Sequence, residues 1–195
     1  MVLQLQKRIM AVAGLFMTVY LVFHMLSNLS FLSESTFTQF YDLYNAGPIR
    51  WLVLLAMIVA TAIHVKTAIK IRRINAQARM IDYAKHDTFK IPAPLVTVSI
   101  IFLLSFIVIH IIQTLLFDIA QLYSDLTQLF QSPIMVLFYL AGLFVLTMHL
   151  QHSLANVLQT LGKTSVICHG LVWAGVLSLT GGFALIPLYI YFVMP

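Results

Sequence analysis

Five long apolar runs, separated by short polar segments, dominate the pattern of the chain. A helix needs about 20 mostly apolar residues to cross the hydrocarbon layer of a bilayer, and each run reaches that length. The runs cover residues of about 8–31, 49–71, 95–117, 134–158 and 165–192. Little sequence is left over, so the pattern predicts one all-α domain over residues 1–195, built as a bundle of five transmembrane helices.

Two of the polar segments carry apolar side chains at helical spacing. We expect each of them to form a short helix on the outer membrane surface, where aromatic rings and amphipathic helices are favoured. The first segment contains Phe37, Phe40, Tyr41 and Tyr44. The second contains Ile119, Leu122, Leu126, Leu129 and Phe130.

Composition strengthens the prediction of a membrane protein. Hydrophobic residues make up 61% of the chain and charged residues 9%, whereas soluble domains have roughly 45–50% and about 25%. The single cysteine, Cys168, excludes a disulfide within the chain and a metal cluster held by cysteines. The composition therefore excludes a soluble enzyme and predicts an integral, multi-pass membrane protein.

The positive charges indicate how the spans are oriented. A net charge of +5 would suit nucleic acid, but ten of the eleven Lys and Arg residues lie at alternate ends of the spans. By the positive-inside rule, the N-terminus and residues 71–91 and 158–164 are cytoplasmic, and the C-terminus is outside. We therefore expect contact with membrane lipid and none with nucleic acid.

A basic segment follows span two and continues its helix into the cytoplasm. Its cations include Lys70, Arg72, Arg73 and Arg79. Such a run is either a solvated face beside anionic lipid headgroups or a docking surface for a cytoplasmic partner. The residues by themselves leave both interpretations open.

Histidines carry the candidate chemistry. Ionisable side chains at membrane depth are costly and indicate function by default. Five of the seven histidines lie inside predicted spans, namely His24, His64, His110, His149 and His152. Neutral imidazole is also a common ligand of metals and haem.

The predicted topology sorts four of these histidines into two layers. His24 and His110 lie late in outward-going spans, and His64 and His149 lie late in inward-going spans. At a rise of 1.5 Å per residue, the outer and inner layers differ in depth by roughly 10–15 Å. Each layer then holds two histidines from two different helices.

Two opposed imidazoles in a helix bundle are the ligands of a low-spin b haem. A single histidine more often forms a hydrogen bond between helices, but four at paired depths favour haem ligation. Ala56, Ala60 and Ala68 lie on the His64 face, where a flat macrocycle needs space. His152, one turn from His149, is either structural or a contact for a haem propionate or a quinone, and Gln159 is a further quinone candidate.

Four motifs, in this order, resemble those of one protein family. They are HMLSNL followed by FTQFYDLYN, then IHVKTAIKIRRINAQAR, then HIIQ, and finally HLQHSLANVLQTLG. The chain resembles the five-span, dihaem cytochrome b membrane-anchor subunit of succinate dehydrogenase and fumarate reductase, the respiratory complex II that links the tricarboxylic acid cycle to quinone. It departs from the family pattern at Ser153, Asn156 and Thr147, where relatives carry glycine, serine and, in some dihaem members, glutamate.

The resemblance implies a specific function. Two b haems would be bound, the outer by His24 and His110 and the inner by His64 and His149. The chain would anchor a flavoprotein subunit and an iron–sulfur subunit to the cytoplasmic membrane of a prokaryote and pass electrons to or from quinone. It would be a subunit of the enzyme without residues that act on the dicarboxylate, and the basic segment would be a docking surface.

Two other functions remain open at this stage. One is the cytochrome b subunit of another membrane oxidoreductase, of the hydrogenase or formate dehydrogenase type. The other is a transporter without haem, in which His24 or His152 relays protons.

Overall fold

The structure, a computed structural model, describes residues 2–77, 93–160 and 165–194. Within these ranges all the long elements are α-helices, and the connecting turns include short 3-10 helices. In chain order the α-helices are α1 (Val2–Leu29), α2 (Glu34–Asn45), α3 (Ile49–Gln77), α4 (Ala93–Leu116), α5 (Leu122–Phe130), α6 (Pro133–Thr160) and α7 (Val166–Val193). The expectation of an all-α protein is confirmed.

Five of these helices are long and apolar enough to cross a membrane. Their apolar spans are Gln4–Leu32, Ile49–Ile74, Thr97–Leu116, Pro133–Leu158 and Val166–Val193. Each bound lies within four residues of the one expected from the hydrophobic pattern. The chain is thus a multi-pass membrane protein, as its composition indicated.

Side-chain caps are present at the start of α7 and of the 3-10 turn before α5. Ser165 caps α7, since its hydroxyl accepts a hydrogen bond of 3.2 Å from the backbone N–H of Cys168. Asp118 caps the 3-10 turn before α5 by accepting from the N–H of Ala120 at 3.0 Å. These bonds satisfy N–H groups that have no partner within the helix.

The two short helices α2 and α5 are present as expected and cover one end of the bundle. Their apolar faces join the first turns of α6 and the last turns of α7 in one cluster, which we call the cap. Its buried members are Phe31, Phe37, Phe130, Val136, Tyr139, Ile186 and Ile190. Stacked rings add to the packing, as between Phe31 and Tyr123 with centroids 4.3 Å apart.

A polar contact ties α2 to the end of α1 within the cap. The hydroxyl of Tyr41 donates to Oδ1 of Asn28 at 3.2 Å. Burial is the main reason why the pKa of Tyr41 lies above its ordinary value of 10.0. The hydroxyl therefore stays protonated and able to donate at neutral pH.

The long helices pack in a definite order. α1 packs along both α3 and α7, α6 packs along α7, and α4 packs along α6. Within the described residues, α1 and α4 do not pack closely on each other, and neither do α3 and α6. Within each of these two pairs, the two helices are linked through histidine side chains.

Candidate functional site

The histidines nearer the cap come from α1 and α4. The rings of His24 and His110 have centroids 5.9 Å apart and planes inclined by 55°. On its other side His24 lies 5.4 Å from the ring of Phe183 on α7. We call His24 and His110 the outer pair, following the predicted topology.

The second pair comes from α3 and α6. The rings of His64 and His149 have centroids 6.2 Å apart and are close to perpendicular, at 77°. We call them the inner pair. The structure therefore brings together the same histidines that the predicted depths had grouped, and each pair joins two helices that do not pack closely on each other.

The separation of the two pairs can be read along two helices. On α1, Gly14 lies against the His64 ring of the inner pair, and His24 of the outer pair follows ten residues later. On α6, Tyr139 lies against the His110 ring of the outer pair, and His149 of the inner pair follows ten residues later. At the helical rise of 1.5 Å per residue, both helices give a separation of about 15 Å.

The inner pair contains one imidazole whose orientation is set by the main chain. Nδ1 of His64 lies 3.2 Å from the carbonyl oxygen of Met10 on α1. A carbonyl oxygen can only accept a hydrogen bond, so Nδ1 carries the proton in the neutral ring. The lone pair of His64 is therefore on Nε2, the nitrogen available to a ligand.

The outer pair contains an imidazole oriented by a side chain. Nδ1 of His110 lies 3.2 Å from the hydroxyl oxygen of Tyr139. That hydroxyl donates its one proton to Oε1 of Gln113 at 2.9 Å, so towards His110 it accepts. His110 then also carries its proton on Nδ1 and its lone pair on Nε2.

The remaining member of each pair is held by packing. Among the described residues, the ring nitrogens of His24 and His149 have no hydrogen-bond partner. Each pair thus combines one imidazole oriented by a hydrogen bond with one positioned by neighbouring side chains. Both imidazoles of a pair retain a nitrogen that can accept a proton or bind a metal.

His152 lies apart from both pairs. It is exposed on the surface of α6, and its Nε2 accepts a hydrogen bond of 3.1 Å from the amide of Asn156 one turn later. Gln159 belongs to the last turn of α6, and its side chain lies outside the described residues. Of the two side chains predicted to contact a propionate or a quinone, the described one is exposed and bonded to Asn156.

The cations proposed for partner docking gather at the end of α3. Lys70, Arg72 and Arg73 are exposed, and Arg79 lies outside the described residues. Arg72 also donates from Nη1 to the hydroxyl of Thr97 at 2.9 Å, which links α3 to the start of α4. The end of the bundle away from the cap therefore presents a basic surface.

The small residues predicted to lie beside His64 on α3 differ in burial. Ala60 is buried, and Ala56 on the same predicted face is exposed. A further small residue, Gly14 of α1, approaches the ring closely, since an added Cβ would lie 3.3 Å from Cε1 of His64. Ser153 donates to the carbonyl oxygen of His149 within its own helix at 2.6 Å.

Sequence reasoning missed the residues that orient the imidazoles. Gln113 ends the HIIQ motif, three residues from His110 and on a neighbouring part of the same helix face, but the motif by itself assigns it no role. Tyr139 gives no local signal, because its role depends on how α6 packs against α4. Met10 contributes a main-chain oxygen, which no side-chain pattern can reveal.

Comparisons with protein-family models, with curated proteins and with solved structures give no match to this chain.

Proposed function

We propose that the chain is the dihaem cytochrome b membrane anchor of a succinate:quinone oxidoreductase. The observation that carries the proposal is a pair of neighbouring imidazoles from two helices, repeated at two levels of one helix bundle. In this proposal His24 and His110 hold the outer haem, and His64 and His149 hold the inner haem.

The separations of the rings support bis-imidazole binding. Two imidazoles on opposite sides of one metal ion, each with a metal–nitrogen bond of about 2.0–2.1 Å, have ring centroids about 6.4 Å apart. The observed 5.9 Å and 6.2 Å lie within about 0.5 Å of that value. Rings in direct aromatic contact reach similar distances. The separation supports the proposal because it occurs in two pairs and because all four rings are imidazoles, which can bind a metal.

The chemistry of the donor atoms fits the same group. His64 and His110 have Nδ1 bound to an acceptor and Nε2 free. Ligating histidines usually have this arrangement, because the second hydrogen bond fixes the tautomer and the ring orientation. The acceptors come from two unrelated sources, a main-chain carbonyl and a tyrosine hydroxyl, yet they select the same tautomer.

A b haem held by two imidazoles would supply one-electron transfer. The four histidines keep two such positions about 15 Å apart along the bundle. The apolar helices around them would keep water away from these positions. The chain's own part is thus to hold and separate two electron carriers.

The basic end of α3 supports the proposed partners. Lys70 and Arg73 are exposed there, on the side that the positive-inside rule assigns to the cytoplasm. In the proposed complex, this end faces the iron–sulfur subunit, and a flavoprotein subunit acts on the dicarboxylate. Quinone reaches the chain from the surrounding lipid.

Haem counting on the purified complex tests the proposal. The expected result is two b haems per chain, with a flavoprotein and an iron–sulfur protein that copurify. His149→Ala should lose the inner haem and keep the outer one, because only one pair is broken. His152→Ala is the matched control, one turn away on the same helix, and should keep both haems.

A reduced spectrum without any b-type haem band would refute the proposal. Two haems together with a metal-centred catalytic partner, and no flavoprotein, would instead assign the chain to another membrane oxidoreductase.

A further inference from the structure

Hydrogen bonds join His110, Tyr139 and Gln113. The proposed haem ligation involves His110 alone and assigns no role to the other two residues. We infer that Tyr139, held by Gln113, is a positioning residue that fixes the tautomer and the donor strength of His110. The redox consequence rests on the proposed function, whereas the tautomer does not. The inference concerns the outer pair alone, since His64 is oriented by the main chain.

Packing holds the ring of Tyr139 in place. Tyr139 is 9% exposed and belongs to the cap. Its ring makes edge contacts with Phe130 at 4.8 Å and with Phe106 at 5.3 Å, so rings from α5 and α4 enclose it. The hydroxyl is thereby directed at α4, where His110 and Gln113 lie.

The direction of hydrogen bonding follows from the number of protons available. The Tyr139 hydroxyl has one proton and donates it to Oε1 of Gln113 at 2.9 Å. At 3.2 Å from Nδ1 of His110, the same oxygen acts as acceptor. Because donation to Gln113 increases the electron density on the hydroxyl oxygen, the bond from His110 is strengthened in turn.

An acceptor on Nδ1–H makes the opposite nitrogen a better electron donor. A stronger donor stabilises the more positive, oxidised state of a bound metal. Removing the acceptor should therefore shift the balance of the outer site towards the reduced state. The inner site should not respond, because its acceptor is the carbonyl oxygen of Met10.

A redox titration of the full chain in its complex separates this role from simple packing. Tyr139→Phe removes the hydroxyl and keeps the ring. Tyr123→Phe is the matched control, since Tyr123 also packs against the cap but has no hydrogen bond to a histidine among the described residues. The variant His24→Ala, which lacks one outer ligand, identifies the outer component of the titration.

We expect Tyr139→Phe to raise the ratio of reduced to oxidised outer haem about tenfold at a fixed potential. Removing a hydrogen-bond partner of a ligating histidine typically changes metal affinity or activity by about tenfold or more. For one electron, this change in the ratio is an upward shift of about 59 mV. Gln113→Leu should shift the same component in the same direction by less, because the acceptor stays but is weakened. The inner component and the Tyr123→Phe variant should titrate as the wild type does.

Two outcomes would overturn the inference. One is an unchanged outer component in Tyr139→Phe with both haems retained. The other is an equal shift of both components, which would indicate a general structural change and no specific effect on His110.

A second measurement keeps the inference separate from the proposed function. If the wild-type chain binds no haem, the proposed function fails, but ¹⁵N NMR of labelled histidines still reports the tautomer of His110. Protonation at Nδ1 in the wild type and a mixture of tautomers in Tyr139→Phe would support the positioning role. Identical tautomers in both proteins would refute it.

Discussion

At the scale of single residues, the hydrogen bond from His64 to Met10 shows how a polar ring is accommodated in an apolar helix bundle. A buried N–H without an acceptor costs about 1–3 kcal/mol. The carbonyl oxygen of Met10, at 3.2 Å from Nδ1, removes that cost and leaves Nε2 free. The same bond selects one tautomer, so a contact that stabilises the fold also prepares the site.

Gly14 allows this hydrogen bond to form, and it carries a prediction of its own. In Gly14→Ala the new Cβ would lie 3.3 Å from Cε1 and 3.5 Å from Nδ1 of His64, so the ring must move by a few tenths of an ångström. We expect a weakened hydrogen bond to Met10 and, if the chain binds the two proposed haems, a changed spectrum of the inner haem alone. Absorption spectra and haem counts of the purified variant measure this.

Gly175→Ala is the control for Gly14→Ala. Both glycines lie in membrane-length helices, but an added Cβ at Gly175 has nothing within 4 Å. Its spectrum should match that of the wild type. An equal change in the two variants, or a change confined to the proposed outer haem, would contradict this prediction.

At the scale of elements, the position of α4 depends on few contacts. Of the long helices, α6 is its close neighbour in the described part of the chain, and the rings of Phe106 and Tyr139 meet there at 5.3 Å. Gly142 of α6 faces Phe106 directly. Since α4 also carries His110, the packing at Gly142 influences the geometry of the outer pair.

We predict that Gly142→Ala destabilises the protein. The new Cβ would lie 2.6 Å from Cδ2 and Cε2 of Phe106 and 2.8 Å from its Cγ, so a rigid ring in a packed interface must shift. Overpacking of this kind costs about 1–3 kcal/mol. Unfolding curves of the purified variant, compared with those of the wild type, measure the difference.

Gly182→Ala provides the comparison for Gly142→Ala. Its Cβ would lie 2.6 Å from Sδ of Met25, but a methionine side chain is flexible and can move aside. It should therefore cost less than Gly142→Ala. Equal losses, or a larger loss for Gly182→Ala, would show that the rigidity of the neighbouring side chain does not decide the cost.

At the scale of the whole molecule, charge is segregated between the two ends of the bundle. Lys7 and Arg8 at the start of α1 and Arg73 at the end of α3 are exposed at the end away from the cap, whereas Glu34 and Asp125 lie beside the cap. By the positive-inside rule, we predict that the basic end is cytoplasmic. This orientation is open to a direct test.

Sided cysteine labelling supplies that test. In a Cys168→Ser background, Arg73→Cys and Ser35→Cys each place one thiol at an exposed position, at opposite ends of the bundle. We predict that a membrane-impermeant maleimide labels Arg73→Cys only in inside-out vesicles and Ser35→Cys only in right-side-out vesicles. The reverse pattern would invert the proposed topology and place the basic end away from cytoplasmic partners.

The amino-acid sequence alone was enough to predict the five membrane-length helices, the two short helices and the grouping of four histidines into two pairs at different levels of the bundle. Crossing a membrane requires a run of apolar residues of a given length, which is a local property of the chain. Depth follows from the helical rise along a straight element. The length of each span and the position of a residue along it can therefore be read directly from the linear sequence.

Only the tertiary structure decided which helices pack together and which way each one turns. A helix that is apolar on all sides carries no periodic signal for its rotation about its axis, so packing against its neighbours sets that rotation. Packing brings Tyr139 to His110 and Met10 to His64, and it leaves His152 exposed. The positions of the histidines were thus predictable, while the acceptors that orient them depend on contacts between distant parts of the chain.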